Sequence, residues 1–166
     1  MAHPDFYPHR VEKIRQRQTH ISRVFLTGGY VYKVKKAVDL EFLDFTTLEK
    51  RRHFCRREVS LNRRLAADVY LDVIPITREN TGFVADGDGE IVEYAVKMRQ
   101  LPDDASLLRK LQRKAVDSSD IKNLARILAR FYENTARSPE IDAIGSWETV
   151  RYNCEENFRQ SEPFVG

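Results

Sequence analysis

Two charged residues sit where the surrounding pattern gives them no local partner. Glu58 falls inside the apolar series Phe54, Glu58, Leu61, Leu65, spaced i, i+4, i+7 and i+11 as one face of a helix, with Cys55 and Val59 beside it. Its neighbours three and four positions away are Phe54, Cys55, Leu61 and Asn62, so no cation on the same helix can pair with it. A carboxylate on a buried face needs a cation from elsewhere in the fold; the bland alternative is a carboxylate at the edge of the stripe that reaches water. Lys33 is a candidate for that cation, the plain alternative being an exposed strand lysine. It lies inside the run Tyr30 to Lys36, where alternation puts Val31, Lys33 and Lys35 on one face of a strand. The pair points to an ion bridge between a sheet and a helix. Lys35 and Lys36 read as ordinary solvated strand lysines.

The elements that must position this pair are legible from period and punctuation. Ile21 to Thr27 and Tyr30 to Lys36 are β-branched and aromatic runs, and Gly28-Gly29 between them is a hairpin turn signal. A shorter strand precedes them near Ile14 to Gln18. Residues 47–65 read as a helix. Tyr70 to Thr77 and Glu90 to Met98 read as strands, separated by the turn cluster Asp86-Gly-Asp-Gly89. That cluster begins like a calcium loop but lacks the later Gly and Glu, so an EF-hand is excluded. After Pro102 the chain becomes helical: Ser106 to Val116, then Asp117 to Thr135 with Ile121, Leu124, Ala125, Leu128, Phe131 and Tyr132 on one face, then Glu148 to Gln160. Asp117 or Ser118 caps the long helix, and Ser138-Pro139 closes it. Strands, helix, strands and helices in that order predict an α+β fold with an antiparallel sheet.

The 166 residues, 42% hydrophobic and 32% charged, suit one globular domain, or one domain plus a remnant. No apolar run approaches the ~20 residues of a membrane span, and the polar, aromatic N-terminus shows no signal core. Two cysteines without a CxxC spacing read as free thiols in a reducing compartment, which implies the cytoplasm. The net charge of +3 is divided unevenly: residues 1–67 hold 15 Lys and Arg against 7 Asp and Glu, whereas the remainder is acidic. A basic front half predicts an anionic partner.

Several of these segments together resemble a known family. Val31-Tyr-Lys-Val34 looks like the lysine-bearing strand of the protein-kinase-like fold, and Glu58 to Leu65 resembles the helix that carries its partner glutamate. Tyr94 to Pro102 resembles the last N-lobe strand and the hinge, and Ile121 to Tyr132 the first long C-lobe helix. The longer string is more specific. Tyr7-Pro-His, Thr19-His-Ile-Ser22, Phe25-Leu-Thr-Gly28, Tyr32-Lys-Val-Lys-Lys36, Val38-Asp-Leu40, Phe42-Leu-Asp-Phe45 and Leu48 to Cys55 are similar to bacterial aminoglycoside-phosphotransferase-like proteins of unassigned substrate. Some of those carry a further P-loop kinase-like domain.

The resemblance implies a kinase-like N-lobe over 1–100, then a hinge and an incomplete helical C-lobe over 101–166. It implies ATP as the nucleotide, with Mg2+ in a complete enzyme, and a small-molecule acceptor that the sequence does not identify. Lys33 would contact the α- and β-phosphates, and Glu58 would hold Lys33 extended. Backbone at Met98, Arg99 and Gln100 would meet the adenine edge, Val31 and Met98 would sandwich the ring, and the loop bearing Thr19 and Ser22 would cover the phosphates. The chain departs from the pattern in two ways. No G-x-G-x-x-G precedes Lys33. No H-x-D loop with a downstream Asn and no D-F-G-like Asp is present; His3-Pro-Asp5 fits the letters only in the N-terminal tail. The general base and metal ligands are therefore absent, a truncated chain is expected, and the chain alone is expected to be inactive. Two other readings stand beside this one. One is a nucleic-acid-binding module using the basic helix 47–65, whose run Lys50 to Arg57 reads more simply as a solvated face. The other is a degenerate kinase-like interaction protein that ends naturally at Gly166. Trp147, a lone aromatic, is expected in a core.

Overall fold

The structure is a computed structural model that describes residues 1–40, 43–80 and 82–162. Phe42 and Gly166, both quoted above, lie outside them. The chain divides into two compact units, Met1–Val116 and Asp117–Gly166.

The first unit is α+β. Its strands are β1 (Arg15–Gln18), β2 (Ser22–Leu26), β3 (Tyr30–Lys35), β4 (Asp39–Leu40), β5 (Leu43–Asp44), β6 (Tyr70–Glu79), β7 (Gly82–Ala85) and β8 (Glu90–Arg99), with helices α1 (Leu48–Ala66) and α2 (Leu107–Gln112). Six strands form one antiparallel sheet in the order β1-β2-β3-β8-β6-β7, and β4 pairs β5 separately. The β2–β3 hairpin closes where Gly28-Gly29 predicts it. The Thr27 amide donates to the Tyr30 carbonyl at 2.9 Å, and Gly28 takes a positive φ of 96° that a side chain would resist. Thr47 caps α1, its hydroxyl accepting from the Lys50 amide. The sequence reading did not anticipate β7, β4 or β5. All are short, and β7 presents only Phe83 and Val84 as an apolar signal.

The sheet has two apolar faces. On one, Phe25, Tyr32, Ile74, Ile76 and Ala95 pack with Phe6, Tyr7 and Val11 from the N-terminal segment. That segment reads as a polar tail by composition, yet its aromatic residues close this core. On the other face α1 sets Cys55 and Val59 against Val96, flanked by Tyr70, Val73, Tyr94 and Met98. The buried row of α1 is Arg51, Cys55, Val59, at i, i+4 and i+8. This corrects the expected stripe: Leu61 and Leu65 are exposed, and Glu58 lies at the flank of the buried row rather than its centre. Cys55 is sealed, and burial pushes its thiol up to about 11. Cys154 is exposed. An aromatic disulfide reagent is therefore expected to titrate one thiol in the native chain and two in denaturant. Two fast native thiols would contradict the α1–sheet packing.

The second unit contains α3 (Ser118–Glu133), α4 (Pro139–Ile144) and α5 (Trp147–Ser161). Of the two cap candidates Asp117 takes the position, and with Asp120 it forms a capping box at the start of α3. Ser138-Pro139 does more than end a helix. Ser138 caps α4, and Pro139 occupies its first turn, where a missing amide costs nothing. Trp147 is 72% exposed, against the expectation of a core position. Among the described residues, no helix is long and apolar enough to cross a membrane.

Candidate functional site

The α1-facing side of the sheet carries the polar centre. Directly opposed residues of antiparallel strands share a face, and the register gives two adjacent rows. One runs Arg15, Leu26, Val31, Met98; the other runs Arg17, Val24, Lys33, Val96. Ser22 and Lys35 oppose one another one step further along. Glu58 enters from α1 and accepts from both lysines: Lys33 Nζ donates to Oε1 at 2.9 Å and Lys35 Nζ donates to Oε2 at 2.8 Å. The expected bridge between Lys33 and Glu58 is present. Lys35 corrects the reading that it is solvated. Its side chain is only 6% exposed, and its ammonium also lies 4.8 Å from the Phe45 ring centre. The alternation that put Lys33 and Lys35 on one face already contained this outcome. Lys36 points the other way and reaches the Thr19 carbonyl at an exposed site.

Burial alone would push the Glu58 carboxyl up. The hydrogen bonds from Lys35 and Lys33 outweigh it and hold the group below its ordinary range. Two cations thus share one anion, and the centre keeps a net positive charge. An ammonium already oriented by a carboxylate, with positive charge to spare, is a donor set that suits a phosphate chain.

A second buried pair anchors α1. Arg51 Nε donates to both Glu93 oxygens, at 3.0 and 2.7 Å, and Nη1 donates to the Phe45 and Thr46 carbonyls at 2.9 and 3.0 Å. Lys50 pairs with Asp44, whose carboxyl is held well below its usual range chiefly by the hydrogen bond from Lys50. Arg52 lies over the Tyr94 ring. The basic run is therefore a solvated face only in part. Three of its cations contact the fold, and of these Arg51 is buried whereas Lys50 and Arg52 stay exposed.

Beyond the end of β8 lies a cavity of about 560 Å3, wholly within the first unit. Leu26, Val31 and Leu101 give it apolar wall, and Gln100, Arg17 and Arg109 give it polar wall. Of the residues the resemblance names, Val31 and Gln100 line it. Met98 does not; it packs against the Cys55–Val59–Val96 cluster. Two further assignments need correction. The Arg99 amide donates to the Val69 carbonyl at 2.8 Å and the Gln100 amide to the Gly29 carbonyl at 3.0 Å, so neither amide is available to a ligand edge. The Gln100 side chain meanwhile accepts from the Gly28 amide at 3.0 Å. These bonds tie the β2–β3 turn to the segment after β8.

The loop between β1 and β2 is likewise turned inward. The Thr19 amide donates to the Ser22 carbonyl at 2.9 Å, and the Ser22 amide donates to the Thr19 hydroxyl at 3.0 Å. Ser22 is fully buried, and its hydroxyl has no partner among the described residues. Thr19 and Ser22 are thus structural, and the loop offers no glycine-type amide cradle. Among the described residues no group of three or more His, Cys, Asp or Glu side chains converges on a metal-sized site. The turn Asp86 to Gly89 folds onto protein instead, the Gly89 amide donating to Glu79 at 2.7 Å. Sequence reasoning missed Lys35, Arg17, Leu26 and Leu101. Only Lys35 had a signal, its alternation with Lys33; the others need the strand register and the chain path after β8.

Comparison with known proteins adds relatives without functions. No family model matches the chain. No solved structure matches it. It is 33% identical over 144 residues to uncharacterized proteins of Mycobacterium bovis (strain ATCC BAA-935 / AF2122/97) and Mycobacterium tuberculosis (strain ATCC 25618 / H37Rv). The match covers 87% of this chain and 27% of each relative. The chain thus spans about a quarter of the length of the curated relatives it matches.

Proposed function

We propose that the first unit is a kinase-like N-lobe with a hinge, the ATP-binding portion of a small-molecule phosphotransferase of the aminoglycoside-phosphotransferase-like group. The observation that carries this reading is the Lys33–Glu58 ion pair joining β3 to α1. Three further features support it. The two lysines on one carboxylate leave positive charge over for phosphates. The cavity after β8 has apolar wall beside Val31, suited to a flat base. The strand carrying Lys33 pairs directly with β8, so the ammonium and the cavity lie on neighbouring rows.

In this reading the base sits against Leu26, Val31 and Leu101. Lys33 holds the phosphate chain, and Glu58 keeps its ammonium extended, with Lys35 as a second cation behind it. Mg2+ supplies charge neutralisation in such transfers. Residues 1–166 contain no H-x-D loop with a downstream Asn and no D-F-G-like Asp to supply its ligands or the general base. The match covers 27% of each mycobacterial relative, which leaves room in those proteins for an acceptor site and a P-loop kinase-like domain.

Calorimetric titration of ATP into the 166-residue chain tests the reading. ATP binds, and Lys33→Met weakens binding by about tenfold or more, the loss of one charge-assisted contact. Equal affinity in wild type and Lys33→Met, with both folded, would remove Lys33 from the site.

A further inference from the structure

The row that carries Lys33 begins with a second cation. Arg17 on β1 opposes Val24 on β2, and Val24 opposes Lys33 on β3. Arg17 and Lys33 therefore share a face, about 10 Å apart across two strand spacings, with an apolar valine between them. Most other cations nearby are engaged; Arg109, also in the cavity wall, bonds only the neutral Gln112 side chain, at 3.3 Å. Arg15 is bound to Asp103 at 2.8 Å, Arg113 to Asp104 at 3.0 Å, and Lys33 and Lys35 to Glu58. Beyond the field it shares with Asp103, the Arg17 side chain forms no hydrogen bond or ion pair with any described residue, yet it lines the cavity. The acids of the cavity wall are already neutralised. Asp103 is held below its usual range by the hydrogen bond and charge of Arg15, with Arg17 and Arg109 adding to the field.

The loop that ought to meet a phosphate chain, Thr19 to Ser22, spends its outer amides and the Thr19 hydroxyl on itself. A nucleotide bound here would lack the backbone donors of a glycine-rich loop. A guanidinium offers a planar fork of donors matched to phosphate oxygens, which an ammonium does not. We propose that Arg17 is a phosphate-binding residue of this cleft, gripping the chain of a nucleoside di- or triphosphate across Val24 from the side opposite Lys33 and standing in for the absent glycine loop. This rests on the nucleotide reading above and adds a residue that the resemblance does not supply.

The plainer account is that β1 is an edge strand and that its Arg15-Gln-Arg-Gln18 sequence is polar to discourage pairing with other chains. The two accounts separate on a matched control. Arg23 opposes Gln18 and Val34, on the other face of the same sheet, and is exposed. Titrations of ATP, ADP and AMP into the full wild-type chain, Arg17→Gln and Arg23→Gln give the answer, with thermal midpoints as the check on folding. Arg17→Gln weakens ATP and ADP by about tenfold while AMP and every Arg23→Gln affinity stay within about twofold; Arg17→Lys recovers only part of the loss. The proposal is overturned if Arg17→Gln binds ATP like wild type, weakens AMP as much as ATP, or does no more than Arg23→Gln. Wild type that binds no nucleotide overturns the functional reading itself, a result distinct from tight wild-type binding that ignores Arg17.

Discussion

Arg51→Ala lowers the stability of the chain by about 3–5 kcal/mol, the cost of removing one member of a buried, hydrogen-bonded ion pair. Arg51 is 9% exposed and is the hub at which three segments meet. It satisfies both oxygens of Glu93 on β8 and the carbonyls of Phe45 and Thr46, just before α1 begins. Truncation leaves Glu93 without its cation and two carbonyls without a donor. Solvent reaches Glu93 only partly, its side chain being 21% exposed. The variant Arg51→Met with Glu93→Leu recovers much of the loss, because an apolar pair of similar volume carries no desolvation cost. Urea unfolding at neutral pH measures both. A loss under about 1 kcal/mol in Arg51→Ala would show that Arg51 is a surface cation with a surface pair's small worth.

Glu58→Gln has the second largest effect, about 2 kcal/mol, smaller because the site is partly open: the Lys33 side chain is 27% exposed. The amide keeps the volume and removes the charge, so two lysines are left facing one another. Lys35, being the more deeply buried, contributes most of the loss. Lys35→Met in the Glu58→Gln background therefore restores part of the stability, whereas Lys33→Met restores less. The pH dependence has a definite sign. The folded carboxyl lies below its unfolded value of 4.5. Its stabilisation is fully present above that value and is lost as the pH falls through the folded one. The gap between wild type and Glu58→Gln is full above about pH 6 and closes progressively in acid below about pH 4. A gap that stays constant down to acid-induced unfolding would mean that the carboxylate charge is not what holds the lysines.

What the sequence disclosed and what it withheld follow one physical line. The β2–β3 hairpin, the N-cap of α3 at Asp117 and the bridge from Lys33 to Glu58 all rest on short-range chemistry: turn conformation, side chain to amide bonds, and alternation by two. The α1 stripe was misphased by one residue because Phe54, Leu61 and Leu65 look apolar, whereas burial is assigned by the sheet. The sheet takes Arg51, Cys55 and Val59, and Arg51 is admitted only because Glu93 waits 42 positions later. Lys35 reads as solvated from the strand pattern alone, although alternation puts it on the face of Lys33; the second oxygen of Glu58 is what draws it in. The amides of Arg99 and Gln100 and the closed Thr19–Ser22 loop depend on partners brought up by the register, which composition does not reveal. The row Arg17–Val24–Lys33 exists only once three strands are aligned.

Binding and mutation report the strength of a site, whereas amide shifts report its place on the molecule. Amide shift mapping of the 15N-labelled chain during titration with millimolar ATP locates the contact residue by residue. Shifts are expected at Leu26, Val31, Lys33, Gln100 and Leu101, with the outer face of α1 around Arg56 and Arg57 unmoved. No shifts at millimolar ATP, or shifts gathered on that outer helix face, would contradict this placement.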